Sequence, residues 1–242
     1  MMKISYSGMN KYLDCPLQYK FQYVDKIYIE QDIRNTLVGS SLHDVLNKWY
    51  TAGDFQKGLA MEMARGIFDN YVKTKKVIWK PYENADVVFL SLKNQLDKTI
   101  DMIAKNNLTE QPLFSELAFE EPVGDLFILN GKIDLFLNKG VDSVLVDFKT
   151  SKTKYYTKPD QLALYSYAIF KKFNVMVNKC CYFFTSLEEL DWYSFNQDFY
   201  KKLFGKFKRV VDGIQAKQFS PMPTKKICGW CPYKDMCTSK VE

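Results

Sequence analysis

The sequence predicts an α/β protein with a mixed central β-sheet flanked by helices, preceded by a helical N-terminal region. Three observations carry that expectation. Apolar residues recur at helical spacing through the first half of the chain, short apolar runs between turn residues replace them from Leu113, and one further helical pattern then interrupts the strands. That order fits neither a repetitive βα array nor an all-helical bundle. With 242 residues, 47% hydrophobic and 26% charged, the chain is read as one domain over 1–242, in three parts: 1–112, 113–196 and 197–242.

Taken in order, Leu42, Val45, Leu46 and Trp49 mark a helix after Gly39-Ser40-Ser41, which is expected to cap it. Helices follow over about 55–78 and 83–106, with Pro81 as the break. Strands are expected over 113–121, 126–137 and 143–150. A helix from Pro159 to Phe173, strands over 179–185 and 191–195, and a helix over 197–217 complete the chain. No internal repeat and no phosphate-binding G-x-x-x-x-G-K-[ST] motif is present, so no motor is built in. No apolar run approaches the ~18 residues of a membrane span, and the N-terminus lacks the apolar stretch of a signal peptide. A cytoplasmic protein is expected, or one of the host cytoplasm if a phage encodes it; its six cysteines then suit metal ligation better than disulfides.

The net charge is +6, and of the 34 basic residues only Arg34, Arg65 and Arg209 are arginines. Lysine attracts phosphate without the planar fork that reads a base edge, so any nucleic-acid contact is expected to follow the backbone rather than the sequence.

Asp134 is a lone acid in the apolar run Gly131 to Leu137, and Asp147 stands two residues before Lys149 in Val144 to Thr150. Period two puts Asp147 and Lys149 on one face. A hairpin loop at about Lys139 to Asp142 sets 138 opposite 143, and therefore Asp134 opposite Asp147, with Cβ atoms roughly 5 Å apart. Like charges so placed destabilise a sheet unless a cation lies between them, and Mg²⁺ or Mn²⁺ is the natural occupant. Such an ion polarises a phosphodiester and activates water, with Lys149 alongside to orient it. Singly, each acid reads as a solvated strand-edge carboxylate; as a set they do not.

Gly131-Lys132-Ile133-Asp134, then Asp147-Phe148-Lys149-Thr150, then Asp160-Gln161-Leu162-Ala163-Leu164-Tyr165 resembles the PD-(D/E)XK nuclease superfamily in its RecB-like branch. Glu116 in Ser115-Glu116-Leu117 and His43 in Leu42-His43 extend the resemblance upstream. It implies a restriction-endonuclease-like core in which His43, Asp134, Asp147 and the Phe148 carbonyl bind the divalent metal. It further implies that Lys149 is the catalytic lysine, that Glu116 belongs to the site, and that Gln161 and Tyr165 line it from the following helix. Ser151 stands where the family's usual D-Y-K-T-G has glycine, and Phe148 where it has tyrosine. Alone, His43 beside an apolar stripe reads as a partly buried core histidine.

Cys15 and the later run Cys228-x2-Cys231-x5-Cys237 form a second pattern. Four thiolates at this spacing suit zinc or a 4Fe–4S cluster, and either would join the two chain ends. The layout resembles the iron–sulfur nucleases related to AddB and the CRISPR-associated RecB-like exonucleases, which implies 4Fe–4S, structural rather than redox-active. Cys180 and Cys181 read as buried apolar residues. The resemblance as a whole implies a Mg²⁺- or Mn²⁺-dependent deoxyribonuclease, an exonuclease on single-stranded DNA or DNA ends, with protein partners in recombination or CRISPR adaptation. The alternatives are a non-catalytic DNA-binding or scaffold module of the same fold, and a zinc-stabilised interaction domain.

Overall fold

The elements follow the changes of period in the sequence: β1 (Lys3–Ile4), α1 (Tyr6–Asp14), α2 (Pro16–Tyr19) with a π-helical turn (Lys20–Val24), α3 (Leu37–Ala52), α4 (Lys57–Thr74), α5 (Ala85–Lys105), β2 (Phe114–Val123), β3 (Phe127–Leu137), β4 (Val144–Lys149), α6 (Asp160–Phe173), β5 (Lys179–Phe184), β6 (Glu189–Tyr193), α7 (Gln197–Gln215) and α8 (Lys225–Gly229). The computed structural model describes residues 1–138, 142–154 and 157–241; most of the expected β3–β4 loop, 139–141, lies outside them. The chain forms two compact units, Asp32–Ala118 with Lys132–Ser194, and Met1–Gln31 with Phe119–Gly131 and Phe195–Glu242. Among the described residues no helix is long and apolar enough to cross a membrane.

The first unit holds a mixed sheet flanked by helices. β3 pairs antiparallel with β4, β4 parallel with β5, and β5 antiparallel with β6. One face of that sheet meets α3, α4 and α5: Leu42, Val45, Leu46 and Trp49 of α3 join Phe68, Leu92 and Leu96, and Leu135, Val144, Val146, Phe148 and Phe183 come from the strands. Each such side chain contributes about 1.5–3 kcal/mol on burial. Polar tips in this core are satisfied, Trp49 Nε1 by the Gln56 carbonyl at 3.0 Å and Tyr50 Oη by that of Leu108 at 2.9 Å. α6 packs against β4 and β5. Asn84 caps α5 by accepting from the Val87 amide, and Gly53, at φ +67°, ends α3 in the left-handed conformation that glycine tolerates.

The second unit gathers both chain ends around the β2–β3 turn. β1 runs parallel to the start of β3, with Lys3 opposite Ile128 and Ile4 opposite Leu129. Phe127 stacks on Phe207 of α7 with ring centroids 5.4 Å apart, and Tyr12 Oη donates to the Gln218 carbonyl at 2.7 Å.

Several boundaries depart from the sequence expectations for local reasons. β1 is two residues long and has no period to read, and β6 begins and ends two residues early. Gly39-Ser40-Ser41 does not cap α3. The helix starts at Leu37, and Gly39 lies in its first turn because the helix runs close to the end of β4: a Cβ at Gly39 would stand 2.6 Å from Thr150 Oγ1. Gly39→Val should therefore lower stability by about 1–3 kcal/mol through overpacking. A urea midpoint equal to wild type would show that the approach has room to spare.

Candidate active site

In the β3–β4 pair Leu135 faces Val146, Phe136 faces Leu145 and Leu137 faces Val144. One step further, this register sets Asp134 opposite Asp147, as the sequence predicts. Val144, Val146 and Phe148 point into the helical core, so alternation turns Asp147 and Lys149 to the other face. Asp147 is only 2% exposed.

His43 reaches this pair from the polar margin of α3. Its Nδ1 lies 3.5 Å from Asp134 Oδ2 and 3.8 Å from Glu116 Oε1. Among the described residues His43, Glu116 and Asp134 are the one group of three or more metal-type donors whose ligand atoms all lie within 4.8 Å of one another. Glu116 sits within β2 at φ +54°, a left-handed conformation that costs a non-glycine residue about 1–3 kcal/mol. Strain of that kind inside a strand re-aims the side chain. Here the carboxylate ends between His43 and Lys132, which forms an ion pair with it.

The electrostatics are those of two opposed buried carboxylates. Burial and the neighbouring Asp147 push the Asp134 carboxyl well above the usual carboxylate range, against the pull of His43, the Phe148 amide and Lys149. That amide donates to Asp134 Oδ2 at 2.8 Å. Burial opposes protonation of His43, but its pairing with Glu116 and the charges of Asp134 and Asp147 outweigh it and raise the imidazole. Burial would raise Glu116, yet His43 and Lys132 hold it below its ordinary value.

Lys149 completes the arrangement. Its Nζ lies 2.6 Å from Asp147 Oδ2, an ion pair without hydrogen-bond alignment, and donates to Gln161 Oε1 at 3.0 Å. Gln161 in turn donates from Nε2 to Tyr165 Oη at 2.9 Å, so the two α6 residues expected from their spacing act as one strut. Asp147 thus stands outside the three-donor group, turned to Lys149. The cluster opens into a cavity of about 620 Å³ that Asp44, Tyr71, Lys132 and Thr150 also line.

Over residues 3–238 the sequence matches the PD-(D/E)XK nuclease superfamily. The chain belongs to that superfamily. Membership suggests nuclease activity and implies a DNA substrate, and the donor set of one imidazole and two carboxylates suits the divalent metal the superfamily uses. No curated protein matches the chain. Among solved structures, the crystal structure of SSO0001 is similar at 12% identity and a TM-score of 0.45, covering all of this chain and 89% of its own.

Two residues of this superfamily member's site were missed in the sequence. Lys132 precedes Asp134 by two, so strand alternation alone puts it on the same face. Tyr182, opposite Asp147 on β5, places its ring 5.2 Å from Lys149 Nζ, and an aromatic inside an apolar strand carries no signal of that contact. The four cysteines of the second pattern lie in the other unit. Cys15, at the junction of α1 and α2, lines one small cavity with Cys228, Cys231 and Cys237. Burial, with the other three thiols adding to it, pushes the Cys231 thiol up. Cys180 and Cys181 are buried in β5, as expected.

The raised Asp134 makes a prediction about stability in chelator. A carboxyl whose folded pKa lies above its unfolded one stabilises the fold at low pH, and that contribution is lost as pH rises from about 4 towards neutrality. His43, raised as well, extends the loss past its own unfolded value. Asp134→Asn should remove the lower part of this decline and be at least as stable as wild type at pH 7. Urea midpoints measured between pH 4 and 8 test it; parallel curves for the two proteins would contradict the assigned origin of the shift.

Proposed function

We propose that this chain is a metal-dependent exonuclease acting on single-stranded DNA or DNA ends, in the RecB-like branch of its superfamily, with a 4Fe–4S cluster in the cysteine cavity. The observation that carries the nuclease reading is the meeting of His43, Glu116 and Asp134 beside the Asp147–Lys149 pair. His43, Glu116 and Asp134 would hold the cation, with Asp147 and the Phe148 carbonyl as the further ligands the family implies. A divalent ion supplies Lewis-acid polarisation of a phosphoryl oxygen and acidifies water at neutral pH. The chain does the rest. Lys149, held by Asp147, Gln161 and the Tyr182 ring, presents positive charge to the phosphate. Lys132 keeps Glu116 ionised. A pure binding module has no use for this acid, histidine and lysine set.

The cysteine reading rests on where the four thiols meet. Four thiols line one small cavity here, Cys15 from one end of the chain and Cys228, Cys231 and Cys237 from the other, and the layout resembles that of the iron–sulfur nucleases. Both chain ends supply ligands, so the cluster would add its binding free energy to folding.

Wild type should degrade end-labelled single strands with Mg²⁺ or Mn²⁺, spare a covalently closed circle, and lose activity steeply between 50 and 200 mM salt. Lys149→Ala should abolish turnover while metal affinity stays near wild type. Equal cutting of linear and closed duplex at one fixed sequence would contradict the exonuclease reading. Anaerobically purified protein should be brown with about four irons per chain, and Cys15→Ser should bleach it; a colourless protein with one tight zinc would favour the zinc-stabilised alternative.

A further inference from the structure

The cavity that holds His43, Glu116 and Asp134 does not end at that cluster. Asp44 and Tyr71, joined by a hydrogen bond of 2.9 Å from the tyrosine hydroxyl, form a wall it shares with a second cavity of about 340 Å³ between α3 and α4. The second cavity is lined further by Lys48, Gly66, Ile67, Asn70, Thr74 and Lys75. Its volume falls in the range of clefts that hold ligands, roughly 300–1,000 Å³.

The helices dictate this lining. Lys48 follows Asp44 by one turn of α3, about 6 Å further from His43 along the same face. On α4, Gly66, Asn70 and Thr74 repeat every four residues and share one stripe. Lys48 and Lys75 are both exposed, and among the described residues neither meets a carboxylate, whereas Lys57, Lys132, Lys149 and Lys154 all do. Gly66 leaves the groove open: a Cβ there would meet nothing within 4 Å. Two cations that form no ion pair, with an amide, in a cavity that borders the catalytic one through Asp44 and Tyr71, are a donor set that phosphate and sugar call for. One turn of helix is a step on the order of that between neighbouring phosphates of an extended strand.

We infer that this groove binds the single strand next to the bond being cut, with Lys48 and Lys75 on its phosphates and Asn70 on the adjoining sugar or base. The inference rests on the nuclease reading for its direction, but it is tested by binding alone. Fluorescence anisotropy of end-labelled dT4 and dT12 in EDTA reads affinity without turnover. Wild type should bind dT12 at least tenfold more tightly than dT4. Lys48→Ala with Lys75→Ala should lose most of that advantage and flatten the dependence of log affinity on log salt by about 1.4, the loss of two single-strand phosphate contacts. Gly66→Glu, which extends a carboxylate into open space, should weaken dT12 binding about tenfold with no fall in melting temperature. Unchanged dT12 affinity and salt slope in the double variant, or no dT12 binding by wild type, would overturn the groove. Absence of cleavage by wild type with Mg²⁺ and with Mn²⁺, beside intact dT12 binding, would overturn the nuclease reading and leave the groove standing.

Discussion

Two carboxylates facing each other across one antiparallel register, Asp134 and Asp147, set the terms for everything around them. Buried like charges at that spacing are costly, and the fold answers with cations and donors from four directions. His43 comes from α3, the Phe148 amide from the strand itself, Lys149 from two residues on, and Lys132 arrives through Glu116. Removing any one of these leaves the pair less compensated. The arrangement is therefore one that a further positive charge, such as a divalent cation, would stabilise.

A site of this kind needs a rigid frame. The helical cluster behind the sheet contains Trp49, Phe68 and Phe183 with no exposed surface, so α3 and β4 are held against one packed layer. His43 is thereby fixed relative to the strand that carries Asp147 and Lys149. Gly39 lets α3 approach Thr150 closely enough for that reach. The strained backbone at Glu116 belongs to the same design, because a regular strand would not aim that carboxylate between His43 and Lys132.

Much of this was legible in the sequence, and for physical reasons. Period two together with a short loop gave the register that opposes Asp134 and Asp147, and the i, i+4 spacing of Gln161 and Tyr165 placed both on one side of α6. What could not be read had no periodic signature. The two-residue β1 depends on a parallel partner more than a hundred residues away. The left-handed Glu116 is a non-glycine in a conformation its residue type disfavours, so propensity argues against it. The role of Gly39 was mistaken for capping because a close helix–strand approach and a helix start both favour small residues. The turn of Asp147 towards Lys149, away from the three-donor group, follows from side-chain geometry that no pattern encodes.

The central claim is that the opposed acids, with His43 and Glu116, form a divalent-cation site. Calorimetric titration of chelator-treated protein with MnCl₂ measures this without any substrate. Saturable binding that is lost in both Asp134→Asn and His43→Ala, with the fold retained in each, is the result this structure predicts. Absence of binding by wild type, or binding of equal strength in both variants, would contradict it.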